Sequence, residues 1–391
     1  MIDKITIRNF RSIKDADIQV KPITILYGPN SSGKSSVLYA FFILKNIVLN
    51  PNQPVDSFLN LVFSNLGGFV NVVFNHEKDL EIELGISKKT SYGEIGYFIS
   101  FDDKKGNFRL RINGQDLILP VSFPYPLSSQ KSFNVKIGET PVEAVWNGVS
   151  ANPILGKQPS TKELDFIKEL NSLVEEVRRI DIVPLRRGFN KPSYSPVQMT
   201  PVALLEDEVA YLMVAPPGYL LDELSSYIKR IFNKDLRVYT PPGTAMFYIR
   251  TLDETGLSNE LVNEGFGVNQ TVYMLAKILR AEVSLVAIEE PEIHLHPSSQ
   301  AKLVETLIDI AKRKKKRIIL STHSEHIVGS LLTCIADGKI SPEDVACYFL
   351  MKDKGNTIIR EQKVNQKGQI EGGLTAFIET EVDAMRKMLG I

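Results

Sequence analysis

The sequence of 391 residues is poor in cysteine and has no excess of either charge. Its two cysteines, Cys334 and Cys347, exclude a cysteine-based zinc hook or an iron–sulfur cluster and are typical of a reducing compartment. Lysine and arginine together number 46, as do aspartate and glutamate, so the formal net charge is zero. The chain therefore has no overall positive potential that would attract nucleic acid or an anionic membrane. Any such contact must therefore be a local patch.

Long apolar stretches are also missing. The longest, from Val37 to Leu44, has eight residues, whereas a membrane-spanning helix needs about 20. Charged side chains stand near the N-terminus where a signal peptide would be apolar. No internal repeat or long heptad run is present, which excludes coiled-coil arms. With 43% apolar and 24% charged residues, the composition is that of an ordinary globular protein, and we expect it to be cytoplasmic with no membrane contact.

The apolar pattern changes character along the chain. Two short strands are expected around Ile2–Arg8 and Asp17–Val20, followed by a buried strand at Ile23–Tyr27. Within residues 80–146, apolar and polar residues alternate with period two in segments separated by Asp-Lys-Lys-Gly and Asn-Gly turns. This pattern predicts an antiparallel sheet. Further elements are predicted as follows: helices from Ser35 to about Val48 and at 161–179, 219–232, 268–280, 298–312, 324–334 and 374–388, strands at 284–289 and 317–322, and a hairpin at 345–361.

These patterns indicate a core that is split in the sequence. The alternation of strands and helices after residue 267 is typical of a mostly parallel α/β sheet. We assign residues 1–75 and 245–391 to this core, 76–150 to an inserted antiparallel β segment and 151–244 to a helical insertion.

A phosphate-binding loop is the strongest motif. Residues 28–35 read Gly-Pro-Asn-Ser-Ser-Gly-Lys-Ser and fit the pattern G-x-x-x-x-G-K-[ST] between a predicted strand and a predicted helix. Backbone N–H groups of such a loop and the helix N-terminus bind phosphate. We expect Lys34 to neutralise the β- and γ-phosphates of ATP and Ser35 to ligate Mg²⁺. The expected nucleotide contacts from this loop are Asn30, Ser31, Ser32, Gly33, Lys34, Ser35 and Ser36.

Hydrolysis of ATP also needs a carboxylate that binds the metal ion and a base that takes a proton from the attacking water. Residues 283–290 form an apolar strand that ends in Glu289 and Glu290. Neighbouring residues at a strand end point to opposite faces, so we assign Glu289 to the metal and Glu290 to the base. The alternative is a solvated strand end.

A histidine follows the next predicted strand. Arg317–Leu320 is followed by Ser321, Thr322 and His323, and His323 would sense the γ-phosphate by hydrogen bonding. Alone, a histidine in this position is more often structural, but the two motifs upstream favour the catalytic interpretation.

The order of these motifs resembles that of ABC-type ATPases of the RecF/SMC branch, above all the ATPase portion of OLD-family proteins. Lys34 and Glu289 are 255 residues apart. This separation resembles that between the two halves of the nucleotide site in that branch. The resemblance implies an α/β P-loop NTPase of ABC-ATPase type with a mixed sheet, an inserted antiparallel β subdomain and a helical subdomain, which binds and hydrolyses ATP with Mg²⁺. It is carried by IRNFRS at 7–12, GPNSSGKSS at 28–36, IEEPEIHLHP at 288–297 and STHS at 321–324.

The resemblance also implies a homodimer that forms on ATP binding. In that family a glycine-rich signature at a helix N-terminus completes the site from a second subunit, and the matching segment here is Asn263–Gln270. Gly265, Gly267 and Asn269 would then contact nucleotide, although Asn269 replaces the usual serine. A glycine turn that caps a helix is the alternative. Arg11 resembles the arginine that contacts phosphate in this branch, but an isolated arginine is more often solvated.

Two further features have competing interpretations. The basic run Lys312–Arg317 is either a patch for a phosphate backbone or a helix C-terminus with favourable charge. His294 and His296 suggest a second metal, but the resemblance places them in a loop that meets the opposite subunit.

The expected output is an ATP-gated dimer switch coupled to DNA or to a separate nuclease or effector protein, in DNA repair or antiviral defence. OLD proteins carry a Toprim nuclease after the ATPase, whereas about 60 residues follow His323 and its helix here and no Asp-x-Asp follows Glu371. We therefore expect no nuclease in this chain. The alternative is a RecF-type clamp in which hydrolysis only triggers release. A transporter subunit is disfavoured because Leu-Ser-Gly-Gly-Gln is missing.

Overall fold

The computed structural model describes residues 1–91, 93–112, 114–126, 128–137, 140–156, 158–200, 205–215 and 218–371. The helix predicted at 374–388 lies outside these residues. The strands, numbered in chain order, are β1 (Lys4–Phe10), β2 (Ile13–Gln19), β3 (Ile23–Tyr27), β4 (Ile82–Thr90), β5 (Gly93–Phe101), β6 (Lys105–Ile112), β7 (Gln115–Ser122), β8 (Lys131–Ile137), β9 (Thr140–Trp146), β10 (Ala151–Pro153), β11 (Ile180–Val183), β12 (Asp235–Tyr239), β13 (Tyr248–Leu252), β14 (Ser258–Glu260), β15 (Leu285–Glu289), β16 (Arg317–Thr322), β17 (Val345–Asp353) and β18 (Asn356–Gln362).

The helices alternate with these strands in the second half of the chain, as predicted. They are α1 (Lys34–Leu49), α2 (Val55–Phe58), α3 (Phe69–Val72), α4 (Thr161–Arg178), α5 (Glu206–Tyr211), α6 (Tyr219–Phe232), α7 (Phe266–Leu279), α8 (Pro297–Lys314) and α9 (Glu325–Ala336). Within the described ranges, no helix is long and apolar enough to cross a membrane.

The chain divides into two compact units. The first comprises residues 1–20, 31–180 and 350–359, and the second comprises 21–30, 181–349 and the residues from 360 onward. These limits differ from the segments assigned from the sequence, whose division into domains stays a prediction.

An antiparallel sheet organises the first unit. Its strand order is β2-β1-β4-β5-β6-β7, and a smaller sheet has the order β10-β9-β8. Ile5 of β1 pairs with Ile18 on one side and Ile86 on the other, and all three are buried. The antiparallel sheet predicted for residues 80–146 is therefore present, and β1 and β2 extend it. Trp146 and Phe108 pack with their ring centroids 4.8 Å apart in its core.

A second sheet, with the order β11-β15-β16-β3-β17-β18, organises the second unit. The pairs β15–β16, β16–β3 and β3–β17 are parallel. Every residue of β3 and β15 is buried, which explains their continuous apolar sequences. Glu289 pairs with Ser321, and Thr322 pairs with Tyr27. Because parallel strands share a direction, the last residues of β15, β16 and β3 meet at one edge of the sheet.

The basic run at the end of α8 is largely paired within the second unit. Arg313 Nε lies 2.8 Å from Asp309 Oδ1, and Lys314 Nζ lies 2.8 Å from Glu223 Oε2. Lys316 is buried and donates to the Arg280 carbonyl. These partners favour the helix-terminus interpretation of the run, because cations near the last turn offset the helix dipole.

A buried ionic cluster joins β11 to α7. Lys277 is fully buried, and its Nζ lies 3.1 Å from Asp181 Oδ1. Arg280 Nη1 lies 3.5 Å from Asp181 Oδ2, and Arg280 Nη2 lies 2.7 Å from Glu282. Burial lowers the pKa of Lys277, while the carboxylate of Asp181 acts against that shift. Asp181 therefore compensates two cations that have little access to water.

Replacing this carboxylate should be costly. We expect Asp181→Ala to lower the free energy of unfolding by about 3–5 kcal/mol, because the change leaves uncompensated charge in the interior. The measurement is urea unfolding at pH 7. Asp235→Ala, which removes the exposed pair with Lys229, is the matched control and should cost less than about 1 kcal/mol. Equal effects of the two changes would contradict the analysis.

Candidate nucleotide site

The phosphate-binding loop joins a buried strand to a helix, as the sequence predicts. β3 ends at Tyr27 and α1 begins at Lys34. Gly33 is the N-cap of α1 with a φ of 100°, a left-handed conformation that favours glycine. The first turn of α1 contains no acidic residue, so no local carboxylate offsets the positive end of the helix dipole. Lys34 and Ser36 are buried.

A threonine from far along the chain supports this loop. Thr357 Oγ1 donates a hydrogen bond to the Ser32 carbonyl at 3.0 Å and lies 2.8 Å from Ser12 Oγ. The Thr357 N–H donates to the Ser12 carbonyl at 2.7 Å. A Cβ on Gly33 would collide with the Thr357 hydroxyl. The shape of the loop thus depends on Thr357 as well as on its own glycines.

Arg11 lies next to this support in the sequence. Its φ is 54°, and its guanidinium carbon lies 5.9 Å from the centre of the Tyr39 ring. The side chain is exposed. The nucleotide contact of Arg11 stays a prediction.

The two predicted hydrolytic carboxylates end β15 at the parallel-sheet edge. Glu289 is the last residue of the strand and is 4% exposed. Glu290 follows with a φ of 39°, and its N–H donates to the Ser321 carbonyl at 2.9 Å. The chain therefore turns sharply between the two acids.

His323 is held at the same edge by a third carboxylate. Glu292 is buried, and its Oε1 accepts hydrogen bonds from Thr322 Oγ1 at 2.6 Å and from the His323 N–H at 3.1 Å. His323 Nδ1 lies 3.5 Å from Glu290 Oε1 and 3.5 Å from Glu292 Oε1. The structure thus places Glu289, Glu290 and His323 at one edge of the sheet, and their roles in hydrolysis stay predictions.

Arg187 fixes the backbone beside these acids. Its Nη1 donates to the Glu289 carbonyl at 2.6 Å, and its Nη2 donates to the Glu290 carbonyl at 2.8 Å. Burial lowers the pKa of Arg187 to about 10, and the nearby carboxylates of Glu292, Glu289 and Glu290 act against that shift. Arg187 therefore stays cationic at neutral pH and is held by neighbouring negative charge.

The glycine-rich segment opens α7. Gly265 is the N-cap, and Phe266 is 67% exposed, with its ring 5.4 Å from that of His294. A Cβ on Gly267 would meet the His294 carbonyl at 2.5 Å, so this close approach requires glycine. Asn269 is buried, and its amide exchanges hydrogen bonds with the Phe189 backbone at 2.7 and 2.8 Å. The side chain of Asn269 is thus engaged inside its own unit.

Three residues of these arrangements, Glu292, Arg187 and Thr357, are not among those predicted from the sequence. Glu292 stands inside the acidic motif at 288–297, so a search for polar residues around the motifs would have found it. The acceptors of Arg187 are backbone carbonyls, which give no sequence signal. Thr357 lies 325 positions from Ser32, and no local pattern connects the two.

A family model and several known proteins are similar to this chain. A family model described as an AAA ATPase domain (AAA_15) matches residues 1–181 and 207–328. The chain is 22% identical over 343 residues to the OLD nuclease of Thermus scotoductus, covering 83% of this chain and 59% of that protein. It is 23% identical over 366 residues to the endonuclease GajA of Bacillus cereus, covering 83% of this chain and 55% of that protein. The chain thus spans little more than half the length of these relatives.

A solved structure shows a similar fold. The SMC head bound to the C-winged helix domain of ScpA superposes with a TM-score of 0.53 at 11% identity, covering 93% of this chain and 98% of that one. Fold and motifs together define a P-loop ATPase of ABC type. The chain belongs to the AAA ATPase domain family.

The support from Thr357 should matter for ATP binding. Thr357→Val keeps the side-chain shape but leaves the buried Ser32 carbonyl without its donor, at a cost of about 1–3 kcal/mol. We expect weaker ATP binding, by roughly 5- to 150-fold if that cost falls on the bound loop, measured by titration with a fluorescent ATP analogue. Thr333→Val, which removes a hydroxyl bonded to the Gly329 carbonyl in α9, is the control. Unchanged affinity in Thr357→Val would show that the loop keeps its shape without this bond.

Proposed function

We propose that this ATPase works as an ATP-gated dimer switch in the cytoplasm. In this proposal, two ATP molecules are each bound between the phosphate-binding loop of one subunit and the Gly265–Gln270 segment of the other. The observation that carries the proposal is the exposure of Gly265 and Phe266 at the N-terminus of α7, where unpaired helix N–H groups can bind phosphate from a second molecule. The backbone supplies this contact, because the Asn269 amide is already engaged.

Each residue then has a role in hydrolysis. Lys34 neutralises the β- and γ-phosphates, while backbone groups of residues 30–36 bind the phosphate oxygens. Glu290 accepts a proton from the attacking water as the water oxygen bonds to the γ-phosphorus. The bond from the γ-phosphorus to the β–γ bridging oxygen then breaks, which releases ADP. His323, 3.5 Å from Glu290, hydrogen-bonds the γ-phosphate and thereby distinguishes ATP from ADP. Arg11 adds a positive charge beside the phosphates.

The donor set suits Mg²⁺. The hydroxyl of Ser35 and the carboxylate of Glu289 are hard oxygen ligands, which this cation prefers, and Glu289 lies in a buried position where few waters compete. When bound, the ion would neutralise charge on the phosphates.

In this proposal, hydrolysis of ATP opens the dimer and binding of ATP closes it. We propose that this change acts on DNA or on a separate nuclease or effector protein, in DNA repair or antiviral defence. The support is the similarity to proteins whose names describe them as nucleases.

A trapped variant tests the switch. Glu290→Gln removes the base but leaves the phosphate-binding groups in place, so Mg-ATP should bind and not turn over. We expect its mass in light scattering to double when Mg-ATP is added. Lys34→Ala, which loses the phosphate-neutralising charge, should stay at the apo mass. Absence of a mass change in Glu290→Gln with ATP shown to be bound would contradict the switch, and hydrolysis at the wild-type rate would contradict the role of Glu290.

The coupling to DNA has its own test. We expect duplex ends to raise steady-state ATP turnover of the wild-type protein several-fold, measured by phosphate release with and without linear DNA. Closed circular DNA of the same sequence is the control for ends. A single turnover followed by release from DNA would favour the RecF-type clamp. If neither DNA changed ATP turnover, the proposed coupling to DNA would be contradicted.

A further inference from the structure

Residues 184–189 form a short segment of the second unit that contacts both the end of β15 and the first turns of α7. We call this segment the strap. We propose that the strap couples α7 to the hydrolytic carboxylates and that Arg187 is the positioning residue that aims Glu290. The inference rests on the proposed function, because it takes Glu290 as the base and the start of α7 as the segment that meets a second subunit.

At one end, the strap holds the backbone of both acids. Arg187 donates to the carbonyls of Glu289 and Glu290, and its Nη1 also donates to the Pro184 carbonyl at 3.0 Å. The Leu185 N–H donates to Glu289 Oε2 at 3.2 Å. A single planar guanidinium thus reaches three carbonyl oxygens. The single ammonium of a lysine cannot reproduce this fork.

Glu290 needs such support because of its backbone conformation. A left-handed φ in a residue other than glycine costs about 1–3 kcal/mol and persists only where the surroundings impose it. The Glu290 N–H is bound to the Ser321 carbonyl, and its carbonyl is bound to Arg187. The residue is therefore fixed on both sides, by β16 and by the strap. Loss of the Arg187 contact would release the peptide that sets the direction of the Glu290 carboxylate.

At its other end, the strap is bound to α7. Asn269 Oδ1 accepts from the Phe189 N–H, and Asn269 Nδ2 donates to the Phe189 carbonyl. The Phe189 ring also packs against Tyr273, one turn further along α7, with the ring centroids 5.6 Å apart. A movement of the start of α7 therefore acts on Phe189, two residues from Arg187.

The strap also has room to change its hydrogen bonds. Arg187 Nε is enclosed and has no hydrogen-bond partner among the residues that the structure describes. Buried donors without a partner are rare in folded proteins. An altered position of the strap can supply an acceptor for this group.

The test compares Arg187→Lys and Arg187→Ala with Arg186→Ala, which changes an exposed neighbour. Each variant is measured for kcat, for ATP affinity and for its unfolding midpoint. We expect both Arg187 variants to lose roughly 10- to 100-fold in kcat, the effect of a misplaced catalytic group, with ATP affinity unchanged within about twofold. Arg186→Ala should match the wild type.

A double-mutant cycle tests the coupling to α7. Asn269→Ala should lower kcat in the same direction, and Arg187→Ala with Asn269→Ala should be no slower than Arg187→Ala alone, because both changes release one strap. Effects that multiply would overturn the coupling. Wild-type kcat in Arg187→Lys, or a loss confined to ATP affinity, would overturn the positioning role.

These outcomes are separable from those for the dimer switch. If Arg187→Ala unfolds at a lower midpoint, Arg187→Lys, which keeps a positive charge at this position, decides the positioning role. If Glu290→Gln with bound Mg-ATP remains a monomer, the dimer switch is wrong, while the kcat series of the Arg187 variants still tests the strap.

Discussion

The proposed hydrolytic groups depend on one constraint. Acidic side chains at the end of the fully buried strand β15 must keep defined directions. Parallel pairing of β15, β16 and β3 brings the ends of these strands to one edge. There backbone hydrogen bonds help to orient the acids. Glu290 is tied to β16 through its N–H, and the carbonyls of both acids are tied to Arg187. This leaves the carboxylate of Glu290 available for chemistry.

The same rule extends to the residues around the acids. Glu292 uses one oxygen to hold the Thr322 hydroxyl and the His323 N–H, so a carboxylate with no proposed role in the hydrolytic step still determines where the histidine lies. Asn269 does the equivalent for the strap at residues 184–189. In ABC-type signatures this position is expected to face a nucleotide, but here the amide is turned toward Phe189. Positioning and chemistry are therefore assigned to different side chains.

Much of this arrangement could be predicted from the sequence. The strand–loop–helix around Lys34, the acidic end of β15 and the histidine after β16 are local patterns, and each depends on residues that are neighbours in the chain. The predicted and observed limits are identical for β16, at 317–322, and for α6, at 219–232. The pairing of β1 with β4 could not be predicted, because partner choice between strands depends on packing across more than 60 residues. Arg187 was missed for a similar reason, since its acceptors are carbonyl oxygens, which every residue has.

The long separation between Ser32 and Thr357 has a consequence for synthesis of the protein. β3 lies between β16 and β17, both of which come nearly 300 residues or more after it in the chain. When the phosphate-binding loop leaves the ribosome, its apolar strand has neither neighbour and the Ser32 carbonyl lacks its donor. Contacts of such high sequence separation form late and expose apolar surface meanwhile. The nucleotide loop, although encoded near the start of the chain, is among the last parts of the molecule to reach its final shape.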